Sequence, residues 1–145
     1  QKILSSPEMK QMSDKAFLDT NILIYAYSED EKSKALCARK LFTLNVIVST
    51  QCISELSNVL IRKFGRSSSE TADVIHEITS IVSVAVITLD TIREALKLSQ
   101  KYSYSFYDSQ IIASALENNC RTIFTEDMHN DQIIEGFLKL RNPFL

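Results

Sequence analysis

Short β-rich runs of hydrophobic residues alternate along this chain with longer stretches in which hydrophobic residues recur at helical spacing. The short runs occupy residues 15–18, 46–49, 82–89 and 122–125. Between them, hydrophobic side chains return every three or four positions, which is typical of helices with one buried face. This alternation predicts an α/β fold in which a central, mainly parallel β-sheet is flanked by helices in three layers, α/β/α.

Local signals set the expected ends of the helices. Helices are predicted over residues 21–27, 31–44, 91–102 and 107–118. Another is expected to begin at residue 50 or 51 and to stop at Gly65, because glycine favours the backbone conformation that ends a helix. Ser67 followed by Glu70 predicts a capped helix start. A last apolar run, residues 137–141, is expected to add an edge strand.

The length and composition indicate one compact domain. The chain has 145 residues, of which 45% are hydrophobic and 23% charged, with only 2 Gly and 2 Pro. This length supports a core without disulfides, and so few glycines argue against a turn-rich all-β fold. Residues 1–12 have no periodicity, so we expect a cloning remnant or a flexible N-terminal segment there, followed by a single domain over 13–145.

Charge and cysteine content narrow the class of protein. The formal net charge is -2, which does not indicate bulk attraction to nucleic acid, although a site that binds phosphate through metal ions is itself acidic. Cys37, Cys52 and Cys120 lack metal-ligand spacing and are expected to be packing residues. With no membrane-length apolar run and no signal-peptide pattern, we expect a cytoplasmic protein that makes no membrane contact.

Four acidic residues stand where open parallel sheets bind their ligands. Asp19 and Asp127 follow the strand-like runs AFL and TIFT. Asp108 opens an apolar helix, and Glu55 lies in the first turns of a helix that leaves another strand. Because ligand sites in such sheets lie beyond the carboxyl ends of the strands, the four acids are expected to form one cluster. Any one of them alone would fit a helix cap equally well.

A cluster of four carboxylates needs a counter-charge. Mutual repulsion would otherwise leave some of these groups protonated at neutral pH, with raised pKa values. Oxygen ligands without a His or Cys companion suit Mg²⁺ or Mn²⁺ rather than zinc. Ions held in this way activate water, orient a phosphodiester and neutralise the leaving oxygen, as in two-metal hydrolysis.

Four segments of the chain resemble the successive motifs of PIN domains. They read LDTNILIYAY, VSTQCISELSNVLIRKF, YDSQIIASALENN and TIFTED. The resemblance extends over nearly all of residues 15–145 and is especially close to the bacterial toxin (VapC-like) branch of type II toxin-antitoxin systems. It implies a PIN-like fold and a metal-dependent endoribonuclease that takes RNA as substrate, a small antitoxin protein as partner and a homodimer as assembly.

The same resemblance assigns roles to single residues. It makes four acids both catalytic residues and ligands of Mg²⁺ (or Mn²⁺): Asp19, Glu55, Asp108 and Asp127. Asn21 matches the polar residue that supports the first acid, and Thr125 matches the hydroxyl position before the last. Glu126 is the alternative to its neighbour in the last position, but strand alternation points the two side chains to opposite sides and favours Asp127.

A basic group and an aromatic group each have two interpretations. Arg62, Lys63 and Arg66 are candidates for binding RNA phosphates, or they form a solvated helix end where cations favour the dipole. The residues before Asp108 either stack on bases or pack on the core, and they are Tyr104, Phe106 and Tyr107. Ser49 and Thr50 are either helix-capping residues or contacts of the site.

Other functions compete with the nuclease. A phosphatase with an aspartyl nucleophile normally has a second Asp two residues after the first, but Asn21 stands there. A non-catalytic binding module would keep the fold without needing the acids, and the complete set of four argues against it. The sequence does not distinguish a toxin from a free-standing RNA-processing nuclease.

Overall fold

The computed structural model describes residues 14–145, so the expected N-terminal segment, residues 1–12, lies outside the described residues. Helices and strands follow one another as the sequence pattern predicts. In chain order, the described elements are β1 (Ala16–Leu18), α1 (Thr20–Ala26), α2 (Lys32–Leu41), β2 (Val46–Ser49), α3 (Thr50–Arg62), α4 (Ser68–Ile81), β3 (Ser83–Ala85), α5 (Leu89–Tyr102), α6 (Phe106–Glu117), β4 (Thr122–Phe124), β5 (Ile133–Ile134) and β6 (Leu138–Arg141).

The strands form one sheet in the order β3-β2-β1-β4-β6-β5. All neighbours pair in parallel except β5, which runs antiparallel to β6. Ala16 of β1 lies opposite Val46 of β2 on one side and Thr122 of β4 on the other. The strand order therefore reverses between β1 and β4, which is the kind of place where open α/β sheets bind ligands. The predicted fold, a mainly parallel sheet flanked by helices, is confirmed.

The central strands are buried on both faces because they carry continuous apolar runs. Every residue of β1 and β2 is buried, as expected for parallel strands covered by helices. Helix α6 is buried around most of its circumference, with Ile111, Ile112, Ala113 and Ala115 at most 1% exposed. This helix carries Asp108 in its first turn, so the core fixes the position of that acid.

Two predictions about the ends of elements are wrong. The predicted strand over residues 82–89 contains only β3, because α5 already begins at Leu89. The backbone N–H of Thr91 donates to the Thr88 hydroxyl oxygen (3.3 Å), and the backbone N–H of Thr88 donates to the Thr91 hydroxyl oxygen (3.1 Å). This reciprocal cap starts the helix early. The run at 137–141 does form β6, but β6 lies inside the sheet and the short β5 is the edge.

Other local predictions hold. Glu70 donates its backbone N–H to the Ser67 hydroxyl (3.0 Å), and the Glu70 carboxylate accepts that of Ser67 (2.9 Å), so the predicted cap is confirmed. The cysteines are free thiols, with Cys52 and Cys120 buried and Cys37 half-buried. Over residues 14–145, no helix has the length and apolar character needed to cross a membrane.

Candidate active site

The four predicted acids line one cleft at the carboxyl edge of the sheet. Asp19 directly follows β1, Asp127 lies just beyond β4, and Glu55 and Asp108 come from the early turns of α3 and α6. The cleft has a volume of about 360 Å³ and lies where the strand order reverses. Residues distant in the sequence therefore meet here because neighbouring parallel strands end at the same edge.

Asp19 is the most buried of the four, with 5% of its surface exposed. It caps α1: Oδ1 accepts the backbone N–H of Thr20 (2.7 Å), while Oδ2 accepts the hydroxyl of Thr125 (2.8 Å). Burial raises the pKa of Asp19 to about 7, the two hydrogen bonds counteract that rise, and repulsion from Asp108 and Asp127 adds to it. The carboxyl is thus held in place but is costly to ionise without a nearby cation.

Asp108 faces the other acids from the first turn of α6. Burial raises its pKa, a hydrogen bond from Ser105 counteracts this, and repulsion from Asp127 and Glu55 adds to the rise. Since Asp108 also raises the pKa of Asp19, it interacts electrostatically with all three other acids. Asp108 is therefore the electrostatic centre of the cluster, and the cleft concentrates negative charge in partly buried surroundings.

Hydroxyl and amide groups hold the two remaining acids. The Thr20 hydroxyl donates to Glu55 Oε1 (2.5 Å), and the Asn21 amide donates to Asp127 Oδ2 (2.8 Å). The expected supporting residue Asn21 thus contacts the fourth acid, whereas the first acid is supported by Thr125, whose hydroxyl also accepts the backbone N–H of Asp127 (3.2 Å). Residues of the first turn of α1 therefore orient acids that come from two other elements.

Glu126 and Asp127 point to different surroundings. Glu126 accepts the hydroxyl of Tyr25 (2.6 Å) and forms an ion pair with Lys34, and it does not line the acidic cleft. The ion pair and hydrogen bonds counteract the effect of burial and hold its pKa below the usual range. Asp127 does line the cleft, as strand alternation predicts.

Comparison with known proteins assigns the chain to a family. The family model described as PIN domain matches residues 16–133, which include all four acids. The chain belongs to the PIN domain family. The PIN domain family consists of nucleases, which are hydrolases. No curated protein matches the sequence.

Solved structures of toxin-antitoxin PIN proteins share the fold. The toxin VapC20 of Mycobacterium tuberculosis, described as cleaving the sarcin-ricin loop, is 19% identical with a TM-score of 0.62, covering 77% of this chain and 89% of its own. A toxin-antitoxin complex from Klebsiella pneumoniae is 22% identical with a TM-score of 0.64, and the match covers 88% of this chain and 97% of the other. VapBC2 from Rickettsia felis, bound to a promoter DNA fragment, is 16% identical with a TM-score of 0.65, and the match covers 88% of this chain and 99% of the other. At these identities the likeness shows the fold.

In this PIN domain the acids share one cleft, and other side chains hold most of them in place. Across the described range 14–145, no three Asp, Glu, His or Cys side chains lie close enough to form a ready metal cluster. Three of the four carboxylates are instead held by Thr20, Asn21 and Thr125. The donor set itself fits a hard divalent cation, because all four side chains offer oxygen atoms and the cleft has no His or Cys in its lining.

Neither the basic residues nor the capping pair lines the acidic cleft of the PIN domain. The acidic cleft is not lined by Arg62, Lys63 or Arg66. Lys63 and Arg66 border a separate depression beside Tyr27. Ser49 precedes α3 but makes no side-chain capping bond, and Thr50 accepts the backbone N–H of Ile87 (3.2 Å). Over residues 14–145, neither of these two hydroxyl groups forms a hydrogen bond with the acids.

Sequence reasoning missed Thr20, which joins two acids. Its backbone N–H binds Asp19 and its hydroxyl binds Glu55. The available signal was a hydroxyl residue directly after the first acid in LDTN, but a threonine near the start of a helix commonly serves only to cap that helix.

Proposed function

We propose that this protein is a divalent-metal-dependent endoribonuclease and the toxin of a toxin-antitoxin pair. The observation that carries the proposal is the meeting of Asp19, Glu55, Asp108 and Asp127 in one cleft at the carboxyl edge of a PIN-domain sheet. Structural acids in such numbers are not gathered in one partly buried place without a compensating charge, because their repulsion destabilises the fold.

Mg²⁺ or Mn²⁺ is the cofactor that these residues would hold. The four carboxylates supply hard oxygen ligands, and the raised pKa values of Asp19 and Asp108 indicate a place where a cation is favourable. When bound, such ions supply an activated water and neutralise charge on the phosphate and the leaving oxygen.

The side chains of this chain would hold and orient the reacting groups. Thr125 fixes the carboxylate plane of Asp19, and Thr20 and Asn21 limit the rotation of Glu55 and Asp127. Burial of Asp19 in the floor of the cleft keeps bulk water from its oxygens and strengthens its attraction for a cation. Asp108 lies at the first turn of α6, where backbone N–H groups favour negative charge and so counteract part of the effect of burial, which raises its pKa.

RNA as substrate and an antitoxin as partner are supported by the neighbouring structures. These are described as a toxin that cleaves the sarcin-ricin loop and as toxin-antitoxin complexes, one of them bound to promoter DNA. We extend these properties to the present chain, with a homodimer as the assembly and the cytoplasm as the location. Size-exclusion chromatography that shows only monomer over a range of concentrations would contradict the dimer.

Cleavage of a structured RNA tests the proposal. The wild-type protein, Asp19→Asn and Asp108→Asn are compared with Mg²⁺ or Mn²⁺ and with EDTA, and Asp73→Asn, an exposed acid of α4, is the matched control. Cleavage by the wild type and the control that is lost in both site variants and in EDTA supports the mechanism. Equal cleavage by all four proteins would assign the activity to a contaminant.

Growth arrest separates the toxin from a free-standing processing nuclease. Induction of the wild-type gene is expected to stop growth, and Asp108→Asn, which keeps the size of the side chain and removes its charge, is expected to abolish the arrest. A wild-type protein that cleaves RNA in vitro but leaves growth unchanged at high expression would favour a processing enzyme.

A further inference from the structure

A second cleft opens beside the acidic one and shares two residues with it. It has a volume of about 420 Å³, and both clefts are lined by Glu55 and Asn58. The other residues of this neighbouring cleft are Thr50, Gln51, Ser54, Ile87, Tyr107 and Gln110. A group bound here therefore lies next to whatever occupies the acidic cleft, within the size range of small-ligand sites.

Two buried amides form the inner wall of the neighbouring cleft. Gln51 and Gln110 are 8% and 6% exposed, and Gln110 Nε2 donates to Gln51 Oε1 (2.7 Å). Gln51 Nε2 in turn donates to the backbone carbonyl of Tyr107 (3.1 Å). This chain of bonds fixes both amides and the start of α6, so the wall is rigid before any ligand binds.

The Gln110 carbonyl oxygen remains available to a ligand. Within residues 14–145, it accepts no hydrogen bond, although no buried side-chain nitrogen or oxygen there lacks a partner. The oxygen must therefore be reachable from the cleft that it lines. Ser54 and Asn58 are exposed in the same cleft, and their side chains have no hydrogen bond in the described part of the chain. The cleft thus offers amide and hydroxyl groups whose bonding capacity is unused.

An exposed aromatic ring stands at the mouth of the neighbouring cleft. Tyr107 is 62% exposed, and its ring is braced edge-on against Phe106 with 5.2 Å between centroids and an interplanar angle of 72°. Ile87 is the other apolar member of the lining, and its backbone is tied to Thr50. The sequence left open whether the aromatic residues before Asp108 stack or pack, and the exposure of Tyr107 favours stacking.

We propose that the neighbouring cleft binds the nucleobase next to the scissile phosphate, with Tyr107 as the stacking surface and the amides of Asn58 and Gln110 as readers of the base edge. This inference rests on the proposed ribonuclease function and adds a specificity site to it. The lining contains no Lys or Arg, so the cleft suits an uncharged base rather than a second phosphate. Adenine is the expected preference, because an amide side chain matches its adjacent donor and acceptor.

A nucleotide-binding experiment tests the site without relying on cleavage. Adenosine 5′-monophosphate and uridine 5′-monophosphate are titrated separately, with Mg²⁺, into ¹⁵N-labelled protein while the side-chain amide signals of Gln51, Asn58 and Gln110 are followed. We expect saturable shifts, stronger for the adenine nucleotide and lost in Tyr107→Ala. Unmoved signals overturn the inference, and so do shifts that are the same in Tyr107→Ala as in the wild type.

Cleavage of RNAs that differ only in the base beside the cut supplies the second readout. Loss of base stacking in Tyr107→Ala is expected to lower kcat/KM by about 5- to 150-fold and to flatten the base preference. Tyr107→Phe keeps the ring and should keep both properties. Phe137→Ala, which removes an exposed aromatic residue outside the cleft, should leave both unchanged.

The two proposals fail in different ways. RNA cleavage that depends on Asp108, but whose rate and base preference survive in Tyr107→Ala, overturns the base site and leaves the nuclease intact. Absence of any RNA cleavage overturns the nuclease, and amide shifts with nucleotide would then still support a base-binding cleft. Thermal unfolding of each variant by circular dichroism identifies any that fail to fold. If Tyr107→Ala is one of them, Tyr107→Leu, which keeps a large apolar side chain but lacks the ring, decides instead: it should flatten the base preference, and an unchanged preference overturns the base site.

Discussion

Replacing Asp19 by Asn isolates the cost of the buried charge in the metal-free protein. The hydrogen bonds of Asp19 can survive the change. An Asn carbonyl oxygen accepts the Thr20 N–H at a helix N-cap as well as Asp does. The new amide group can donate to the Thr125 hydroxyl, which has a free acceptor site. The principal loss is therefore the negative charge itself.

The expected magnitude follows from the pKa of Asp19. Burial, followed by the repulsion from its acidic neighbours, raises this pKa from 3.8 to about 7. The folded protein then holds the proton more tightly than the unfolded chain, so this stabilisation is complete below pH 4 and is lost as the pH rises to 7. At about 1.36 kcal/mol per pH unit, ionisation of Asp19 costs about 4 kcal/mol above pH 7.

Urea unfolding in EDTA measures this cost. The chain has no Trp, so far-ultraviolet circular dichroism reports the transition. Between pH 4.5 and 8.5 the free energy of unfolding of Asp19→Asn is expected to gain about 3 kcal/mol relative to the wild type. The exposed-acid variant Asp73→Asn should show no such gain. A difference between Asp19→Asn and wild type that stays constant over this pH range would refute the reasoning.

Addition of Mn²⁺ should stabilise the wild type and so offset the cost of ionising Asp19. At a free concentration of one hundred times Kd, a ligand that binds only the folded state stabilises it by about 2.7 kcal/mol. The wild type should gain this amount at pH 8, whereas Asp19→Asn, which lacks one carboxylate ligand, should gain much less. Equal gains in the two proteins would show that Asp19 does not bind the ion.

Three further predictions address the fourth acid, the hydroxyl that holds Asp19 and the basic group. Asp127→Asn should lower RNA cleavage far more than Glu126→Gln, because only Asp127 lines the cleft, and equal losses would contradict this assignment. Thr125→Val should lower metal affinity, measured by calorimetry, or activity by about 10- to 100-fold, whereas Thr125→Ser should restore both. Alanine at Arg62 and Lys63 should reduce the salt dependence of RNA binding by about one unit of slope each if they contact phosphates, and an unchanged slope would assign them to solvent.

The sequence predicted the elements that carry strong local patterns. The buried strands around Phe17 and Val48 are continuous apolar runs, and the capped start at Ser67 is a specific residue pair. Both patterns can be recognised without tertiary information. The two-residue strand β5 has no such pattern, since Ile133 and Ile134 become a strand only by pairing with β6. The early start of α5 depended on a Thr pair at 88 and 91, a weaker cap signal than Ser with Glu.

The candidate site was predictable where it depends on strand ends and not where it depends on side-chain contacts. The placement of Asp19 and Asp127 follows from the sheet edge, and the structure brings both to the cleft. The contact of Asn21 with Asp127 crosses 106 positions in the sequence and could not be read locally. The amide pair of Gln51 and Gln110 is equally non-local, which is why the neighbouring cleft left no sequence pattern.

The pairing of β1 with β4 has a consequence for synthesis of the protein. Asp19 lies near the start of the described chain, and its partner Thr125 follows it by 106 positions. A chain still emerging from the ribosome without β4 has at most three of the four acids, and its Asp19 carboxyl lacks the hydroxyl that orients it. Contacts between such distant segments form late, because closing a long loop costs conformational entropy before the new contact stabilises the fold. On the proposed function, an incomplete chain is therefore expected to be inactive, and cleavage is expected only after β4 has been made and has paired with β1.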